Sequence, residues 1–312
     1  MQVIASRGLI FDMSSDEYHG MGGTYSSSQL KTMLEDPEIF YKKYITKEIP
    51  KESNSAFDIG TYFHTAILEP HNLDNECAVF TGAKRIGVAW EAFKVAHAGK
   101  AIITNSEYDK AQVLVKAIKA SPIAMKYLEG SKAEVSTFVD IFVLDKKVYT
   151  SIKGSIHILS AIGWEGSISM SLELLQEFAV KLTLKVRADS IRVGEGIISD
   201  LKSTGGNCKN KHDIEAKVAS YEYDLSASLY LDIFTAATGE LYHTFAWLFA
   251  SKDMGNSKTW LASERQKIVG RYKWRNAVVL LAKYISEDWI FSDEIGIADP
   301  TYYNAILLNE EF

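Results

Sequence analysis

The sequence predicts an α/β or α+β protein, and three observations carry that expectation. KLTLKVRAD at 181–189 alternates Leu182, Leu184, Val186 and Ala188 with Lys181, Thr183, Lys185, Arg187 and Asp189, the period-two pattern of a half-buried strand. EVSTFVDIFV at 134–143 is rich in the β-branched and aromatic residues that strands favour. Segments with helical periodicity lie on both sides of these two, so strands and helices mix along one chain.

Taken in order, residues 26–28 followed by QLKTMLEDPEIFYKKYI predict a capped helix interrupted near Pro37, and 58–68 a second, short helix. Helical character returns at 106–119 and near 122–129, ahead of the strand at 134–143. After KLTLKVRAD, a turn containing Gly194 and Gly196 leads to a second strand at 197–202, which the Ser-Thr-Gly-Gly-Asn run at 203–207 ends. The two strands are expected to form a hairpin. A helix from about 213, another through YDLSASLYLDIFTA, a strand at 241–250 and a long helix near 261–285 complete the pattern. With no internal repeat, low-complexity tract or Pro/Gly/Ser-rich linker, residues 1–312 are expected to form one domain.

Composition narrows the function classes. A chain of 312 residues, 47% hydrophobic, can bury a substantial core. No stretch approaches the roughly 20 apolar residues of a membrane span, and the first twenty residues lack the apolar region and cleavage site of a signal peptide. A cytoplasmic location, with no membrane partner, is therefore expected. Cys77 and Cys208 belong to no C-x-x-C pair, which argues against a disulfide framework, a zinc site or an iron-sulfur cluster. The absence of G-x-x-x-x-G-K-[ST] argues against a P-loop and hence a bound nucleotide. A net charge of −6 argues against a protein that coats nucleic acid over its whole surface. Yet residues 181–217 hold eight Lys or Arg against five acids. On charge alone that window is ordinary solvated surface.

The chemistry concentrates in the two predicted hairpin strands. Side chains alternate along a strand, so Asp200 and Lys202 emerge on one face while Leu201 points into the core. If the strands pair, Asp189 approaches the same face, gathering two carboxylates and an ammonium. Such a group suits Mg²⁺ on phosphate, because this hard cation takes one or two carboxylates and leaves places for water and substrate oxygens. The ion would activate water and stabilise attacking and leaving oxygens, while Lys202 would orient the water or offset charge on the phosphorane. D-x-K alone is weak evidence and also describes a plain surface pair. K-x-R-x-D closing one strand, an eleven-residue step, and D-L-K-S-T closing the next are together more specific.

That combination resembles the PD-(D/E)XK nuclease superfamily, and in particular the exodeoxyribonuclease VIII (RecE-type) nuclease domain of phages and prophages. The resemblance also rests on MSSDEYHG and YSSSQLKTMLEDPEIFYKKYI near the start, GTYFHTAILEP at 60–70, YDLSASLYLD at 223–232 and GRYKWRNAVVLLAKY at 270–284. It implies a central mixed β-sheet flanked by helices and a metal centre of Asp189, Asp200 and His64, with Mg²⁺ as cofactor and Mn²⁺ able to substitute. By itself, a lone histidine on an apolar helix is more often a core residue; here the G-x-x-x-H of Gly60 and His64, four apart and so on one helical face, corresponds to the family's histidine ligand. The Leu201 backbone carbonyl is a further implied ligand, and Glu134 a further acidic candidate.

The resemblance further implies 5′→3′ hydrolysis of linear double-stranded DNA to leave 3′ tails for recombination, a homo-oligomeric ring and a single-strand annealing partner. Lys185, Arg187, Lys209 and Lys211 are the candidate phosphate contacts. Two departures stand out. Where relatives carry Gln-x-x-x-Tyr this chain has Ser226 and Tyr230, and the segment at about 145–178 is longer than the family connection. A lid, a DNA guide, a subunit contact and an elaborated hairpin are all open for that segment. An endonuclease or single-strand nuclease in phage defence or counter-defence, and a non-catalytic DNA-end-binding scaffold, are the competing readings.

Overall fold

Caps and turns mark the elements. The computed structural model describes residues 7–50, 55–82, 84–166 and 169–291. Its strands are β1 (Arg7–Ile10), β2 (Thr24–Tyr25), β3 (Cys77–Phe80), β4 (Ala101–Thr104), β5 (Lys132–Leu144), β6 (Lys147–Ile152), β7 (Ser155–Leu159), β8 (Trp164–Glu165), β9 (Val180–Arg192), β10 (Ile197–Thr204), β11 (Thr244–Ser251) and β12 (Ser257–Leu261). Its helices are α1 (Ser15–Gly20), α2 (Ser27–Glu35), α3 (Pro37–Phe40), α4 (Ser55–Leu68), α5 (Leu73–Glu76), α6 (Val88–Ala96), α7 (Asn105–Lys119), α8 (Pro122–Leu128), α9 (Leu172–Phe178), α10 (Lys211–Ser220), α11 (Tyr223–Thr238) and α12 (Glu264–Ser286). The Gln29 side chain accepts the Ser26 N–H at the head of α2. Asp36 then caps α3, whose first residue is Pro37, which is why the predicted helix breaks there.

The sheet is mixed, in the order β12-β11-β10-β9-β5-β6-β7-β8, with β1 added to β5 and β2 to β9. β10 and β11 run parallel over their whole length, and β9 pairs antiparallel with β5 from Val180 to Ile191. The other edge of β9 is shared. β2 pairs with it at Thr183 and Leu184, and β10 pairs at Ser190, Ile191 and Arg192. The predicted hairpin is thus present but short, and its strands part below Ser190, leaving a split between β9 and β10.

Helices cover both faces. One apolar cluster joins α2, α11 and α12 to Leu182, Leu184, Val186, Ala188, Ile198, Trp247 and Phe249. A second joins α4 and α7 to Leu201, Ala246, Leu248 and Ala250. Leu201 therefore faces α4 and α7, and alternation turns Asp200 and Lys202 to the side of Ile198 and α11.

The structure adds elements that the sequence pattern does not announce. The strand expected at 241–250 starts at Thr244, and the long helix starts only at Glu264 because 257–261 pairs with β11 as an edge strand. Segment 145–178 is an elaborated hairpin: β6, β7 and β8 extend the sheet beyond β5, and α9 packs Leu175 against Phe142, Tyr149 and Ile156. Residues 167 and 168 of that segment lie outside the described residues.

Close approach of α11 and α12 depends on Gly270. A methyl group there would run into the Asp224 carbonyl oxygen and Ser228 Oγ, and backbone cannot step aside cheaply. Gly270→Ala is expected to cost about 3 kcal/mol by overpacking, read as a lowered urea midpoint with an unchanged slope. Gly60 is the contrary case. A side chain there would meet nothing within 4 Å, so no close packing requires that glycine.

Candidate active site

The split between β9 and β10 is where the chemistry gathers. Asp189 stands at the point where the strands part, and its Oδ2 accepts the Leu201 N–H at 2.8 Å, replacing the ladder bond that the hairpin has given up. An extended residue points its N–H and C=O to the same side, so the Leu201 carbonyl opens onto the same split. Across β9, the register with β5 sets Glu134 opposite Asp189. Glu134 has φ 52°, a left-handed backbone that costs a non-glycine residue of order 1–3 kcal/mol and recurs at functional sites.

The third side is α4. Ile59, Tyr62, Phe63 and Ala66 bury against the sheet, and this leaves His64 at the margin, 28% exposed, with Nδ1 3.2 Å from Asp189 Oδ2. Ligand atoms of His64, Glu134 and Asp189 all lie within 4.8 Å of one another. Asp200 is not part of that trio. Its Oδ2 lies 2.5 Å from Lys202 Nζ, a close ion pair. A nitrogen and two carboxylates converging on one point, with the Asp200–Lys202 pair in the neighbouring strand, fit a divalent cation.

The electrostatics are those of a site short of positive charge. Burial and the neighbouring Asp189 push Glu134 up to about 7, against the pull of Arg187. Burial also pushes Asp189 up, but His64, Lys202 and the Leu201 N–H outweigh it and hold that carboxylate below its ordinary value. Burial raises Asp200 despite Lys202. Burial disfavours a proton on His64, yet Asp189 more than compensates and keeps it above the usual imidazole range. Lys202 is treated likewise by Asp200 and Asp189 and is firmly cationic.

The remaining sequence candidates divide. Lys185 is not a phosphate contact: it is buried, and its ammonium donates to the Tyr18 carbonyl at 2.8 Å and reaches that of Met21 at 3.4 Å. Arg187 is engaged by Glu134 at 2.6 Å and lies over the Tyr18 ring, so it serves the centre and is no free surface cation. Lys209 and Lys211 are exposed after β10, Lys211 within 3.6 Å of Glu215. Ser226 is half-buried on α11. Tyr230 is near Ser27, Asp200 and Asp189 and sets its ring edge-on to Phe245. Lys31 of α2 was not anticipated. Its ammonium donates to the Tyr221 carbonyl at 2.8 Å, and burial with Lys202 nearby lowers its pKa to about 8. Nothing in local spacing marks a lysine 171 positions before Lys202 as its neighbour.

Comparison with known proteins bears on the fold. A crystal structure from Eubacterium rectale, described as a "putative exonuclease", shares the fold with a TM-score of 0.55 at 14% identity, covering 95% of this chain and 98% of that one. A crystal structure described as SSO0001 aligns over 79% of this chain and 83% of its own at 11% identity, with a TM-score of 0.25. No curated protein matches the chain significantly. Residues 26–152 match the family model described as a PDDEXK-like domain of unknown function (DUF3799). That stretch contains His64 and Glu134; Asp189, Asp200 and Lys202 lie beyond it. Residues 26–152 thus resemble a PDDEXK-like domain, and the Eubacterium rectale structure shares the fold over nearly the whole chain.

Proposed function

We propose that the chain is a metal-dependent deoxyribonuclease acting on the ends of linear duplex DNA. The observation that carries this reading is the convergence of His64, Glu134 and Asp189 beside the Asp200–Lys202 pair. His64, Asp189 and Asp200 would hold a divalent ion with the Leu201 carbonyl, and Glu134 would add a ligand or position water. The ion supplies Lewis acidity and lowers the pKa of water. An imidazole beside carboxylates makes Mn²⁺ as good a match as Mg²⁺.

The protein's own groups then have separate tasks. Lys202, fixed by Asp200, faces the scissile phosphate and offsets charge growing on its oxygens. Asp189 orients His64. Arg187 restrains Glu134, and the exposed Lys209 and Lys211 draw in the phosphate backbone. Hydrolysis joins a water oxygen to phosphorus and breaks the bond to the 3′ oxygen, leaving a 5′-phosphate and a 3′-hydroxyl.

The resemblance to exodeoxyribonuclease VIII supports the finer reading: 5′→3′ resection that leaves 3′ tails for an annealing partner, by a ring of subunits. End-labelled linear duplex, closed circular DNA and single-stranded DNA, each with Mg²⁺ or Mn²⁺, test it. The expected result is loss of 5′ label from the linear duplex, with circles spared, and no cleavage in excess EDTA or by Asp200→Ala. Cutting of closed circles would replace the exonuclease reading with an endonuclease. DNA binding without cleavage in either metal would replace it with a scaffold.

A further inference from the structure

Beside Lys202, the start of α11 carries a feature that the proposed cleavage does not use. Tyr221 and Tyr223 stack, with ring centroids 5.5 Å apart and planes 20° from parallel. Tyr223 is half-buried against Phe249, whereas Tyr221 is 59% exposed. Glu222 between them has φ 49°, a left-handed turn that a glutamate seldom adopts. Through that turn the two rings come together.

Two cations flank the pair. Lys202 Nζ lies 5.0 Å from the centroid of the Tyr223 ring and Lys31 Nζ 5.5 Å from the same centroid. Lys31 also holds the Tyr221 carbonyl, and among the described residues no carboxylate forms an ion pair with it. The neighbouring acids are already answered, since Lys273 contacts Asp224 at 3.0 Å and Glu222 at 3.9 Å. An open aromatic face with unpaired positive charge at its side matches a nucleotide, with a flat base and an anionic phosphate.

We propose that Tyr221 and Tyr223 form a stacking platform for an unpaired base of the DNA strand being cut, with Lys31 and Lys202 holding that nucleotide's phosphates. The proposal rests on the nuclease reading for its substrate. A base reaches the platform only outside a duplex, so the terminal pairs must open as the strand enters the split between β9 and β10. Tyr221 is the outer ring and takes the base; Tyr223 backs it and ties it to the lysine at the cleavage point.

The test is equilibrium binding by fluorescence anisotropy, in EDTA so that no strand is cut. The probes are hairpin duplexes with a two-nucleotide unpaired tail, 5′ in one and 3′ in the other, each beside a copy with abasic tail positions. The protein should bind one intact tail about tenfold tighter than its abasic copy. Tyr221→Ala should lose that difference, and Tyr221→Trp should keep it. If Tyr221→Ala, folded by circular dichroism, still prefers the intact tail as the parent does, the platform is overturned. Cleavage of a blunt linear duplex by the parent in Mn²⁺ separates the two readings. Cleavage with tail-insensitive binding sinks the platform alone, tail preference without cleavage sinks the nuclease alone, and no DNA binding sinks both.

Discussion

Lys202→Ala is expected to slow cleavage by about three orders of magnitude while the protein still folds. Removing one preorganised donor aimed at developing charge typically costs about 10²–10³ in rate, and Lys202 also answers Asp200 at 2.5 Å. Without its ammonium, the buried Asp200, already raised by burial, would bind a proton more readily and serve a cation less well. Single-turnover cleavage at saturating Mn²⁺, with circular dichroism as the control for folding, measures the effect. A variant within tenfold of the parent would remove Lys202 from the chemistry. The pH profile has a defined sign. Lys202 stays charged across the neutral range, whereas Glu134 stands at about 7 and must lose its proton to aid a cation. Metal affinity should therefore fall as pH drops through about 7, and activity should survive to lower pH at higher metal concentration.

Two of the site's supports were open to sequence reasoning because they are local. Alternation placed Asp200 and Lys202 on one face with Leu201 opposite, and the turn glycines placed a second strand after the first. Asp189 was legible in kind but not in geometry: it reaches the group from a strand that has parted from β10, a separation that periodicity does not encode. Lys185 and Arg187 misled for a related reason. Their alternation with apolar residues describes a solvated face, yet carbonyls of Tyr18 and Met21 and the carboxylate of Glu134 cover them, and these lie more than 50 residues away. The strands of 147–159 carried a partial signal. Lys153 and Gly154, both left-handed, form a two-residue hairpin loop of the kind that glycine marks, but Asp145 and Lys146 make the preceding loop without one.

Arg271→Ala should be among the most destabilising single changes in the protein, at roughly 3–5 kcal/mol, because it leaves a buried carboxylate without its cation. Arg271 Nε lies 2.9 Å from both oxygens of Asp232, and Trp274 Nε1 donates to Oδ2 at 3.1 Å. The group also ties in the added strands, since Trp164 Nε1 donates to the Asp232 carbonyl at 2.8 Å and Arg271 reaches the Ala161 carbonyl. Burial pushes Asp232 up to about 6 even with Arg271 and Trp274 drawing it down. A carboxyl with a raised folded pKa contributes most below its unfolded value near 4, and that contribution fades as pH rises through the folded value. Taking Arg271 away raises the folded value further, so the loss continues to higher pH in the variant after it has levelled off near 6 in the parent. The deficit of Arg271→Ala should accordingly widen between pH 6 and pH 8, and Arg271→Ala with Asp232→Asn should narrow that widening by removing the ionisable group. Urea denaturation of the parent and both variants at the two pH values measures this. An equal deficit at pH 6 and pH 8 would show that Asp232 is neutral in the folded parent, and that the pair holds the added strands by hydrogen bonds without charge.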